Sequence, residues 1–129
     1  MEPGKDIFSL CNQIRETSFA LHGYLKSGHL EKVYENGLTH RLNKAGLQVE
    51  QQYPIDVRDE DGTIIGHFKA DLFVENCLLV EVKACKEITN EHLAQILGYL
   101  RACNIEHGVL INFGAAKLWI KKLILSKPE

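Results

Sequence analysis

The chain has 129 residues, 45% of them hydrophobic and 25% charged. This is the length and composition of one globular domain with a core of its own, and it excludes a disordered chain, a collagen-like repeat and a coiled coil. The formal charge of −2, from 15 Lys+Arg against 17 Asp+Glu, argues against a protein that coats nucleic acid through bulk positive charge, though a local basic groove fits within it.

The opening Met1-Glu2-Pro3-Gly4-Lys5-Asp6 is polar and lacks the apolar core of a signal peptide. Apolar runs such as Leu78-Leu79-Val80 fall far short of the ~20 residues of a membrane span. Cys11, Cys77, Cys85 and Cys103 form no C-x-x-C pair, and no Cys/His spacing suggests zinc. These features together predict a cytoplasmic domain with reduced thiols and no membrane contact.

In residues 6–26, Ile7, Cys11, Ile14, Ser18, Leu21 and Leu25 recur in steps of four and three with Leu10 beside them, which predicts a helix with one core-facing stripe. Ser27-Gly28 ends it. A second helix is expected from about Leu30 to Ala45, with Leu30, Val33, Tyr34, Leu38 and Leu42 on its inner face and Gly46 as its stop. The period then changes to two. Strands are expected over 49–57, broken at Pro54, and over 64–68, 70–75 and 78–85. Turns lie at Asp59-Glu60-Asp61-Gly62 and Asn76-Cys77. Thr89 is an N-cap for a third helix over 90–103, followed by strands at 109–112 and 117–125. The resulting α-α-β-β-β-β-α-β-β order describes one domain, residues 1–129, of the α+β class, with a mixed sheet flanked by helices.

The segment Leu78-Leu79-Val80-Glu81-Val82-Lys83-Ala84 places charges where an apolar strand should have none. Leu78, Val80, Val82 and Ala84 form one apolar face, and Glu81 and Lys83 share the other. In the preceding strand Ala70, Leu72 and Val74 are apolar and Asp71 begins the opposite face, so the hairpin at Asn76-Cys77 brings Asp71 towards Glu81. Glu31 opens the second helix within Gly28-His29-Leu30-Glu31-Lys32-Val33-Tyr34. Gln95 and Tyr99, four apart, share a face of the third helix. Each feature alone has an ordinary explanation: a solvated ion pair, a first-turn carboxylate, a boundary tyrosine.

In their order and combination they resemble the PD-(D/E)XK nuclease superfamily, and in particular its GxxExxY family, whose motif Gly28, Glu31 and Tyr34 reproduce. Asp71 matches the superfamily's first acidic position, Glu81-Val82-Lys83 its E-x-K element, and Gln95 and Tyr99 the Q-x-x-x-Y helix motif of RecB-type exonuclease domains. Leu110-Ile111-Asn112-Phe113-Gly114 is similar to the penultimate strand. Ala70 stands where a Pro often precedes the aspartate. The resemblance implies a restriction-endonuclease-like core and hydrolysis of nucleic-acid phosphodiesters, DNA in the first place, with Mg²⁺ or Mn²⁺. By the same resemblance Asp71, Glu81, the carbonyl of Val82 and Glu31 would be the metal ligands. Lys83 would orient the attacking water or offset phosphate charge, and Gln95 and Tyr99 would position the water, the lysine or a phosphate by hydrogen bonding. Lys26, Lys32, Arg41, Lys44, Lys86, Lys117, Lys121 and Lys122 are candidate substrate contacts, and the modest charge points to help from a homo-oligomer or a protein partner. The alternative is an inactive nucleic-acid-binding or protein-interaction module with the same fold.

Overall fold

The computed structural model describes residues 6–125. The polar stretch read as lacking a signal peptide lies almost wholly outside them, at residues 1–5. Helix α1 (Ile7–Leu25) starts at Asp6, whose carboxylate accepts from Ser9 N at 2.7 Å. Helix α2 is Glu31–Lys44. Strands β1 (Val49–Arg58), β2 (Ile64–Val74) and β3 (Leu78–Lys83) follow, then α3 (Asn90–Cys103), β4 (His107–Asn112) and β5 (Trp119–Ile124). Thr89 caps α3 as expected, in a reciprocal box with His92. None of the four cysteines is in a disulfide among the described residues. No helix among the described residues is long and apolar enough to cross a membrane.

The strands form one sheet in the order β1-β2-β3-β4-β5, antiparallel except for β3 and β4, which α3 connects in parallel. One face packs on α1 and α2 through Leu10, Ile14, Leu38, Leu42, Leu72, Val80, Val82 and Ile111, and the other lies under α3 through Ile55, Ala70, Phe73, Leu79 and Leu100. The described residues form one small α+β unit with three helices around a five-stranded mixed sheet.

The structure corrects several details. The strands expected over 64–68 and 70–75 are one strand, β2, because Lys69 stays paired with Pro54 across the ladder. Pro54 does not break β1 either, since an edge strand tolerates a missing N–H. The inner face of α2 is rotated: Leu30 and Val33 are 80% and 40% exposed, while Glu35 is buried at 2%. Polar partners for that glutamate, described below, offset the cost of burying its charge.

Candidate active site

The hairpin of β2 and β3 sets the centre of the site. Its last ladder pair is Leu72 with Val80, and one step further Asp71 faces Glu81. There the two side chains take over hydrogen bonds that the backbone ladder gives up: Val82 N donates to Asp71 Oδ2 at 2.8 Å, and Asp71 N to Glu81 Oε1 at 3.3 Å. Both carboxyls are buried, Glu81 to 4% exposure. Burial first, and the charge of Asp71 second, push the Glu81 carboxyl up to about 9, against the pull of Lys83.

The same point is a break in the sheet's alternation. Leu72 packs towards α1 and α2, yet Ala70, two residues away, packs under α3. Ala70, Leu72 and Val74 therefore do not share the single apolar face that alternation predicts. Opposite Asp71, Gln52 sits in the left-handed region at φ 55°, a rare backbone state for a residue with a side chain. The twist lets adjacent residues reach one target. Gln51 Nε2 donates to Glu35 Oε2 at 2.8 Å and Gln52 Nε2 to Glu35 Oε1 at 3.0 Å, with Asp71 Oδ1 at 3.5 Å from the same Gln52 nitrogen. Lys32 Nζ completes the cage at 3.1 Å from both Glu35 oxygens. Glu35, Gln51 and Gln52 were not expected at the site. Glu35 stands four residues after Glu31, hence on the same helix face, which is the one cue the sequence offers.

Glu31 is the first residue of α2 and remains exposed at the rim. Its carboxyl is raised above the ordinary range, first by loss of water on its inner side and then by Asp71, with Lys83 opposing. The loop that leads into it is pinned. Gly28 takes φ 115°, and the Tyr34 hydroxyl donates to Lys26 O at 2.5 Å and accepts from His29 N at 3.2 Å. The buried Tyr34 ring stacks on Phe113 at 4.7 Å. The glycine supplies the bend, the tyrosine ties the loop to the core, and the glutamate between them is brought within electrostatic reach of Asp71 and Lys83.

From the other face, Gln95 Oε1 accepts from Lys83 Nζ at 3.1 Å. Partial burial, then the charges of Glu81 and Asp71, raise the Tyr99 phenol, so it is a proton donor at neutral pH. The main chain just beyond Lys83 is locked by buried Asn112, whose Oδ1 accepts from Cys85 N and Gly114 N, both at 3.0 Å, while its Nδ2 donates to Cys85 O at 2.9 Å.

The proposed site residues Glu31, Asp71, Glu81, Lys83, Gln95 and Tyr99 thus converge, with Val82 between Glu81 and Lys83. Lys32 is spent on Glu35, Lys122 lies over the Phe8 ring at 4.9 Å, and Arg41 and Lys44 occupy the far end of α2 from Glu31. Among the described residues no three His, Cys, Asp or Glu side chains lie together as a group that could hold a metal ion. The donor set nonetheless suits a hard cation: two buried, mutually repelling carboxylates with a third at the rim, all oxygen donors.

No curated protein matches the chain. Among solved structures it is similar to SSO0001, with TM-score 0.60 and 15% identity over 75% of this chain and 50% of that one. It is also similar to LHK-Exo in complex with dAMP, with TM-score 0.57 and 12% identity over 95% of this chain and 72% of that one. LHK-Exo is described as an alkaline exonuclease from Laribacter hongkongensis. At these identities the likeness is one of fold, and the chain spans half the length of SSO0001. The sequence profile of the PD-(D/E)XK nuclease superfamily matches residues 9–123. With that match over nearly the whole chain, and with Asp71 and Glu81-Val82-Lys83 at the splayed end of one hairpin, the chain belongs to the PD-(D/E)XK nuclease superfamily.

Proposed function

We propose that this chain is a divalent-metal-dependent nuclease of the GxxExxY type that hydrolyses phosphodiester bonds in DNA. The carrying observation is the opposed, buried Asp71 and Glu81 beside the Lys83–Gln95 pair. Burying two carboxylates against each other is costly, and a cation is the simplest group that would reverse the cost. The pinned loop and Glu31 support the GxxExxY assignment. The deoxynucleotide bound to LHK-Exo, a protein of the same fold, supports DNA.

Asp71, Glu81, the Val82 carbonyl and Glu31 would hold Mg²⁺ or Mn²⁺. The ion would supply positive charge for the crowded phosphorus and make the attacking water more acidic. Water oxygen forms the new bond to phosphorus as the bond to the leaving sugar oxygen breaks. The water gives up a proton and the leaving oxygen gains one. Lys83, steadied by Gln95, orients the water or faces the phosphate. The protonated Tyr99 hydroxyl donates a hydrogen bond on the same side, and Gln52, bridging Glu35 and Asp71, fixes the aspartate's orientation.

The test is incubation of purified protein with labelled linear, nicked, circular and single-stranded DNA, and RNA, with Mg²⁺, Mn²⁺ or chelator. Metal-dependent cleavage of DNA is expected. Lys83→Met keeps an unbranched stem and should cut turnover about 10²-fold or more, the scale of a lost electrostatic contact. A wild type that binds nucleic acid but never cleaves it with either ion would make the chain a binding module instead.

A further inference from the structure

Beside the carboxylates, α3 and the outer half of the β1–β2 hairpin enclose a groove of about 570 Å³. Its size lies within the roughly 300–1,000 Å³ of small-ligand pockets. Gln95 and Tyr99 line it, so it opens directly onto the candidate active site. Phe68 forms its aromatic wall. That side chain is 46% exposed, with its ring 5.6 Å from the Tyr99 ring. Among the described residues the charged ones in the lining are two arginines, Arg58 and Arg101, with no carboxylate. Arg58 gives one N–H to Gly62 O at 3.1 Å and lies 3.8 Å from Asp56, which leaves further donors on a guanidinium that has five.

The floor holds a second, independent observation. Gly98 stands in the middle of α3, where glycine costs helix stability relative to alanine. Its backbone is helical, and a Cβ there would meet nothing within 4 Å. Neither conformation nor packing among the described residues requires glycine at this position. What its absent side chain leaves is open depth in the groove, flanked one turn away on either side by Ala94 and Ala102.

We propose that this groove receives an unpaired nucleobase of the substrate strand, stacked on Phe68 and seated over Gly98, next to the phosphate under attack. The reading rests on the nuclease assignment and deepens it. A flat slot with an aromatic wall fits a base face, and two arginines fit the phosphates on either side of it. A base inside a duplex has both faces stacked on its neighbours, so the groove selects single strands, overhangs or frayed ends. Phe68 and the arginines surround the base without a rigid set of hydrogen-bond partners, so no sequence preference is expected from this contact.

The test measures fluorescence anisotropy of fluorescein-labelled dT12, and of the same oligomer made with abasic residues, against the full chain in chelator. A parallel cleavage assay uses overhang and blunt duplexes with Mn²⁺. The wild type should bind dT12 about tenfold or more tightly than the abasic oligomer, the scale of one stacked base. Phe68→Ala and Gly98→Leu, the second filling the slot, should each remove that difference while leaving melting temperature and abasic binding near wild type. Gly98→Ala should keep dT12 binding. Equal wild-type binding of the two oligomers, or dT12 binding untouched by both Phe68→Ala and Gly98→Leu, would overturn the groove assignment; the groove would then be free for another occupant, such as a docked apolar peptide. If the wild type cleaves DNA yet shows that result, the nuclease reading stands and the groove fails. If base-dependent binding is present and lost in the variants while no substrate is cleaved, the groove stands and the nuclease reading fails.

Discussion

Replacing Glu81 with glutamine should stabilise the metal-free protein at neutral pH. In the folded chain the Glu81 carboxyl titrates at about 9, against an ordinary value of 4.5. At pH 7 the folded state therefore keeps a proton that the unfolded state has released. Because the folded value is raised, stability is highest below 4.5 and is lost as pH climbs towards 9. From 4.5 to 7, at about 1.4 kcal/mol per pH unit, the penalty reaches about 3 kcal/mol. For a chain of this length that is roughly 10 °C in melting temperature. The curve belongs to the Asp71–Glu81 pair, since each carboxyl biases the other. Glu81→Gln has the same shape, keeps an oxygen for Asp71 N and does not titrate. Thermal unfolding of both proteins in chelator, from pH 4.5 to 8, should show curves that coincide at the acid end and separate steadily, the variant above. A variant that is less stable than wild type, or offset by the same amount at every pH, would refute the reasoning.

Millimolar Mn²⁺ should raise the melting temperature of wild type and do so much less for Asp71→Ala, because an ion that binds only the folded state stabilises it by mass action; equal shifts would count against metal at this site. Tyr34→Phe loses the hydroxyl that ties Lys26 O and His29 N. It should cost about 1–2 kcal/mol by denaturant titration and slow cleavage through a mispositioned Glu31, without abolishing it. Gly114→Ala places a Cβ 2.3 Å from Cys85 N and 2.4 Å from Cys85 O. Backbone cannot yield cheaply there, so it should destabilise by about 3 kcal/mol or more, and wild-type stability would show that the β3–β4 end is looser than it looks.

What could be read from the residues was what obeys periodicity. Alternation along 78–84 and one hairpin turn sufficed to put Asp71 across from Glu81, because an antiparallel register has no freedom once its turn is known. The helix motifs added Glu31, Gln95 and Tyr99 by resemblance. The remainder depends on departures from periodicity. Gln52 at φ 55° carries no mark in a strand-like stretch, and without that twist neither the double amide contact to Glu35 nor the change of face at Ala70 can be anticipated. Apolarity alone placed Leu30 and Val33 inside and left Glu35 unplaced. The structure exposes the first two and buries the third because a carboxylate with four donor bonds is better buried than a valine is on a helix that must present Glu31. Arg58, Phe68 and Arg101 line one groove only when the hairpin curls against α3, which joins segments about thirty to forty residues apart.

The kink at Gln52 also bears on how the chain behaves in company. Strand β1 is an edge of the sheet and ten residues long, the kind of open row of amides that recruits a strand from another molecule. Gln52 turns the row out of line and Pro54 removes an N–H from it two residues later. The opposite edge, β5, is short and carries Lys121 and Lys122 at its centre. The distortion that aims two glutamines at Glu35 is thus also a guard against self-templating. A substitution such as Gln52→Val, which favours the regular strand, would loosen Asp71 and straighten the edge in one step, so loss of the site and a gain in aggregation would arrive together.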